Sequence, residues 1–132
     1  MVSNEESGSL RTRAVRISGT EYVPPKNLQE IKSKLNEILF QQEEYANPLE
    51  KAVYLHCNLA RLQPFIDGNK RTARMIESVV LMNAGIIPVY STKDSDMLNY
   101  RKGLIAFYET EDYSQYADYF LNRQIERIKE IE

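Results

Sequence analysis

Gln63-Pro64-Phe65-Ile66-Asp67-Gly68-Asn69-Lys70-Arg71-Thr72-Ala73-Arg74 joins two runs of helical spacing through a break that neither can cross. Pro64 lacks an N–H and its ring clashes with the preceding turn, so the upstream helix must stop there. Gly68 brings the backbone freedom that a tight turn needs. Downstream, Ala73, Ile76, Val79, Val80 and Leu81 make a nearly all-round apolar helix. That is the pattern of a central buried helix on which the other elements pack, with Gly85 placed to end it in a left-handed cap.

Working outward, Asn47-Pro48-Leu49-Glu50 combines a cap residue with Pro at the first helical position and predicts a helix to about Leu62. Before it, Asn27 with Glu30 resembles a capping box, and Leu28, Ile31, Leu35, Ile38 and Leu39 recur at helical spacing to about Glu44. Past Gly85, Asp94 or Ser95 is expected to cap a helix carrying Met97, Tyr100, Leu104 and Tyr108. Ser114 is expected to cap a last one through Tyr116, Phe120, Leu121, Ile125 and Ile128. From Ala14 to Val23, apolar and polar residues alternate around Gly19-Thr20, a short hairpin signal that Pro24-Pro25 ends. Residues 1–12 are rich in Ser, Gly, Asn and Glu and read as a flexible lead-in, so order is expected to begin near Arg13. The predicted fold is all-α, a helical core with one small β-hairpin near the N-terminus, forming a single domain over 13–132.

With 132 residues, 42% of them hydrophobic and 27% charged, the chain suits one soluble globular domain. A net charge of −2 provides no overall basic field for nonspecific nucleic-acid binding, so any anion site must be local. Cys57, the only cysteine, excludes an internal disulfide and a cysteine-rich zinc site. Met1 to Leu10 lacks the basic start and apolar core of a secretory signal, and no apolar run approaches a membrane span. The expectation is a cytoplasmic protein that neither crosses a membrane nor binds nucleic acid.

The loop has the composition of an anion site. The free amides and positive dipole end of the helix after Gly68 favour phosphate. Arg71 and Arg74 are three apart and share a helix face, so both guanidinium groups are expected to reach one polyphosphate. Asp67 offers the hard oxygen that Mg²⁺ takes alongside phosphates and water. An alternative stays open at this level, an Asp-Gly-Asn turn capping a basic helix with Arg74 paired to Glu77.

The full string resembles the signature of the Fic family, His-x-Phe-x-(Asp/Glu)-Gly-Asn-(Gly/Lys)-Arg-x-x-Arg. Phe65, Asp67, Gly68, Asn69, Lys70, Arg71 and Arg74 match it, and Gln63 stands where the histidine belongs. The resemblance extends to Val15-Arg16-Ile17-Ser18-Gly19-Thr20 with Pro24-Pro25, which looks like the family's flap, and covers about residues 13 to 125. It implies a helical core that transfers AMP from ATP to a hydroxyl side chain of a target protein. By position, Asp67 would bind Mg²⁺, while Gly68, Asn69, Lys70, Arg71 and Arg74 would hold the nucleotide phosphates. Phe65 would anchor the loop against the core. Ser18, Gly19 and Thr20 would dock a target protein by strand addition.

In the family the first motif residue deprotonates the incoming hydroxyl, and a neutral carboxamide cannot accept that proton. Loss of such a base slows a reaction by about 10² to 10⁴ while leaving phosphate contacts nominally intact. The resemblance therefore implies ATP binding with transfer weak or lost, or a Fic-shaped interaction module without catalysis. Lys70 also resembles the Doc branch, which transfers a phosphoryl group. His56 lies seven residues before Gln63 and reads more simply as a structural residue than as a displaced base. The family's inhibitory pattern, (Ser/Thr)-x-x-x-Glu-(Gly/Asn), finds no full match, since Ser3 to Gly8 has Ser where Glu belongs and Ser114 to Tyr119 has Asp118. A separate inhibitory protein is one partner that this leaves open.

Overall fold

The structure, a computed structural model, describes residues 8–90 and 93–131, with side chains as far as residue 125. Residues 1–7 of the expected lead-in, the Ser3 to Gly8 pattern and the Ile128 side chain therefore lie outside it. Among the described residues there are five α-helices: α1 Leu28–Gln41, α2 Pro48–Leu62, α3 Asn69–Asn83, α4 Asp94–Thr110 and α5 Ser114–Ile131. A 3₁₀ turn, Gln42–Glu44, follows α1. None of the described helices is long and apolar enough to cross a membrane.

The helix starts follow the local chemistry in most cases. Asn27 Oδ1 accepts the Glu30 amide at 2.8 Å, and Asn47 Oδ1 accepts the amides of Leu49 and Glu50 at 2.8 and 3.3 Å. Gly85, at φ 78°, ends α3, with the Ile86 amide donating to Leu81 O at 2.9 Å and the Gly85 amide to Met82 O at 3.0 Å. Two caps differ from expectation. α4 begins after Lys93 with no side-chain cap, and Asp94 and Asp96 oppose its positive dipole end from within the first turn. At α5 the capping oxygen belongs to Asp112, whose Oδ1 accepts the Ser114 hydroxyl at 2.6 Å and amide at 2.8 Å. Those bonds hold the Asp112 carboxyl below its ordinary pKa.

The central helix is α2 rather than α3. It lies against α1, the 3₁₀ turn, α3, α4 and α5, and nine of its fifteen residues are buried. Helix α3 buries only the single stripe Asn69, Ala73, Glu77 and Leu81, while Met75, Val79 and Met82 are half or more exposed. Its apolar content therefore overstates its burial, because Met75, Val79 and Met82 turn to solvent while two of the four buried residues are polar.

The expected hairpin has no strand in it. Residues 13–23 turn at Ser18-Gly19 without ladder pairing, which fits the marginal stability of an isolated two-stranded ribbon. Side chains hold the arm instead. Ile17 is in the core, Thr20 Oγ1 donates to Glu109 at 2.7 Å, and the Tyr22 ring stacks on Tyr108 under the Arg61 guanidinium, 4.1 Å from the ring centre.

α4 and α5 approach closely at Gly103, where an added Cβ would sit 2.8 Å from Tyr116 Cα and 3.0 Å from its nitrogen. Backbone cannot yield as a flexible side chain can. Gly103→Ala is expected to destabilise the fold by about 1–3 kcal/mol through overpacking, measured by urea denaturation; an unchanged midpoint would contradict this contact.

Candidate functional site

The reversal from α2 to α3 takes two left-handed residues, Gln63 at φ 52° and Gly68 at φ 77°. For a residue with a side chain this conformation costs roughly 1–2 kcal/mol, so Gln63 must be held by its surroundings. Its Nε2 donates to Ala60 O at 2.6 Å, and its Oε1 accepts from Asn69 Nδ2 at 3.1 Å. Asn69, buried at the first position of α3, also donates to Phe65 O at 2.8 Å and accepts the Phe65 amide at 2.9 Å. The loop is thus drawn round one carboxamide. Phe65 is only half-buried and belongs to neither core cluster, so it is not the expected anchor; Asn69 is.

Arg11 closes the other side, from a stretch expected to be a lead-in. It is buried, its amide donates to Pro64 O at 3.0 Å, and its guanidinium donates to Gln63 O at 2.5 Å, Leu62 O at 3.2 Å and Arg13 O at 3.0 Å. A cation on the last carbonyls of α2 answers both their unmet hydrogen bonding and the negative dipole end.

The start of α3 is treated in the opposite way. Its N-cap is Gly68, with no side-chain cap, so the first-turn amides face the space in front of the loop. Gln63, Ile66, Asp67, Gly68, Asn69, Lys70 and Arg71 line one cavity of about 350 Å³ there, together with Arg16. Arg71 folds back toward Asp67, 3.7 Å away, with both side chains more than 70% exposed and able to rearrange. Gly68 is required by its φ, while a Cβ would meet only the movable Arg71 Nη2, at 2.9 Å. Burial lowers the Lys70 pKa, and the charges of Arg101 and Arg74 lower it further.

Arg74 does not share that lining. Its guanidinium carbon lies 5.2 Å from the Tyr90 ring centre and 5.1 Å from that of Tyr100, so the structure parts it from Arg71. It does not pair with Glu77 either. Glu77 is fully buried and accepts the hydroxyls of Tyr90 and Tyr116, each at 2.8 Å. His56 is a buried structural residue, bonded through Nε2 to the Tyr100 hydroxyl at 2.9 Å. Cys57 is buried too, and burial pushes its thiol well above the ordinary pKa. Of the expected flap residues, Ser18 and Gly19 are exposed and Thr20 is tied to Glu109; none lines the loop cavity. Arg16 was not singled out from sequence, yet it lines both the loop cavity and a second one of about 260 Å³ formed with Ala14, Val15, Val23 and Lys26. Its only sequence signal is a basic residue between Val15 and Ile17 in the alternating arm.

Fold and site together define a helical domain with an uncapped helix start framed by cations and one carboxylate. Residues 1–81 match the Fic/DOC family, and the chain belongs to that family. The protein adenylyltransferase Fic of Nematostella vectensis is 32% identical over 116 residues, covering 86% of this chain and 23% of that protein. The protein adenylyltransferase fic-1 of Caenorhabditis elegans is 32% identical over 85 residues, covering 64% and 17%. The chain thus spans about a quarter or less of the curated relatives it matches. A solved structure of Fic-1 (residues 134–508) from C. elegans superposes with a TM-score of 0.78 at 22% identity, covering 97% of this chain and 37% of that one.

Arg11→Met would leave the α2 carbonyls unanswered. A loss of about 1.5–3 kcal/mol is expected from hydrogen bonds made by a charged donor, read as a lowered thermal midpoint; an unshifted midpoint would mean water satisfies the helix end equally well.

Proposed function

We propose that this chain is an Mg-ATP-binding Fic domain of the protein adenylyltransferase type, its AMP transfer weak or lost because Gln63 stands in the position of the general base. The observation that carries the reading is the uncapped start of α3, opening onto a cavity lined by Asp67 and Arg71. Phosphate oxygens would be met by the first-turn amides and by Asn69, Lys70 and Arg71, with Arg74 reaching the terminal phosphates from the next turn.

The donor set fits Mg²⁺. Asp67 is a single exposed carboxylate, and among the described residues no three His, Cys, Asp or Glu side chains gather as a metal centre. One carboxylate suits a cation that completes its shell with phosphate oxygens and water. When bound, Mg²⁺ would neutralise phosphate charge, and Asp67 would hold it.

Gln63 is poorly suited to proton transfer on two counts. The carboxamide is not basic, and both of its ends are already engaged, by Ala60 O and by Asn69. A target protein would lie along the arm near Ser18, Gly19 and Thr20, where an extended segment could use backbone hydrogen bonds. Support comes from the exposure of Ser18 and Gly19 and from Arg16, which borders both cavities.

Isothermal titration of the folded protein with Mg-ATP should give saturable heat, and Arg71→Ala should weaken it about tenfold or more, the worth of one charge-assisted contact. No heat from folded protein would remove the nucleotide reading. Gln63→His, incubated with α-labelled ATP and candidate targets, should raise label transfer by about 10² to 10⁴. Transfer of γ-label without α-label would favour phosphoryl transfer instead.

A further inference from the structure

We infer that Glu77, His56, Tyr90 and Tyr100 are positioning residues that hold the Arg74 guanidinium preset beside the phosphate cradle. What Arg74 meets there rests on the nucleotide reading above; the geometry of the support does not.

Of the two aromatic rings against Arg74, one is bonded to the buried Glu77 carboxyl and the other to His56, which packs beside it. Tyr90 donates its hydroxyl to Glu77 Oε1 at 2.8 Å. Tyr100 meets His56, whose Nε2 lies 2.9 Å from its hydroxyl, and His56 Nδ1 lies 3.3 Å from Glu77 Oε2, close enough for charge attraction but without the geometry of a hydrogen bond, on an oxygen that also accepts the Tyr116 hydroxyl. Glu77 and His56 are both fully enclosed. An apolar side chain at position 77 would fill the same space without desolvating a carboxylate, so the value of Glu77 lies in what it orients.

The chemistry of the groups gives the chain a direction. In the proposed arrangement His56 is the tautomer with hydrogen on Nδ1, toward the carboxyl group, in which Nε2 is an acceptor. In that tautomer Tyr100 donates its hydroxyl hydrogen to Nε2, which turns its oxygen lone pairs away from His56. Burial raises the Tyr100 pKa, and the Arg74 charge opposes this, as a cation beside those lone pairs would. Arg74 Nε itself is buried with no hydrogen-bond partner, although its residue is only half-buried. The protein thus holds the guanidinium beside two rings and leaves donor capacity unspent. An arginine already ordered loses little rotamer freedom when an anion arrives. Arg71, mostly exposed and held only by Asp67, would have to be ordered on binding.

Two measurements on the full chain test this. The first needs no nucleotide: ¹⁵N spectra should place the hydrogen on His56 Nδ1, and Tyr100→Phe should speed rotational averaging of the Arg74 guanidinium. Hydrogen on Nε2, or unchanged Arg74 dynamics, would overturn the proposal. The second compares Mg-ATP with AMP, which lacks the terminal phosphates. Tyr100→Phe keeps the ring but removes the oxygen, and should weaken ATP about five- to tenfold, the worth of one hydrogen bond, while leaving AMP unchanged. His56→Phe should do the same, and His56→Gln, which restores an acceptor near Nε2, should recover most of the loss. An unchanged ATP-to-AMP ratio, or tighter ATP binding, would overturn the proposal. If the parent binds neither nucleotide, the cradle reading fails and the spectra alone decide the support of Arg74.

Discussion

The turn between α2 and α3 must satisfy one helix end while leaving the other bare, and the remainder of the site depends on that asymmetry. Arg11 and the side chain of Gln63 take up the last carbonyls of α2, while Gly68 leaves the first amides of α3 without a side-chain cap. Had the turn been closed symmetrically, the dipole of α3 would be spent on its own protein. Asn69 makes the asymmetry possible, because one buried carboxamide both grips Phe65 and holds Gln63 in a left-handed conformation.

A local field follows in a chain whose net charge is −2. Lys70 and Arg71 line the loop cavity, and the charges of Arg101 and Arg74 add to burial in lowering the Lys70 pKa. Asp67 is the one acidic side chain lining that cavity. Such a balance suits a polyanion accompanied by a divalent cation better than it suits a protein carboxylate partner.

Much of this could be read from the sequence wherever the determining contact is local. Asn27, Asn47 and Gly85 act within a turn of their own positions, so the bounds of α1 and α2 and the end of α3 followed from residue type. The loop was readable for the same reason. Where the partner is distant, the sequence was silent: Arg11 acts on residues more than fifty positions away, and Glu77 answers Tyr116 from another helix. Apolar counting also misled. Met75, Val79 and Met82 made α3 look central, but α2 fills that place because the contacting stripe of α3 runs through Asn69, Ala73 and Glu77. The expected hairpin failed because alternation alone cannot show that Thr20 and Tyr22 would be fixed by side chains of α4 instead of by a strand partner.

Crystals grown with Mg²⁺ and a non-hydrolysable ATP analogue give the most direct view of the cradle. The expected density places the β-phosphate against the first-turn amides of α3, with the metal on Asp67 and the terminal phosphate toward Arg74. A triphosphate bound away from α3, or one contacting the loop with its base and leaving those amides to water, would contradict the cradle.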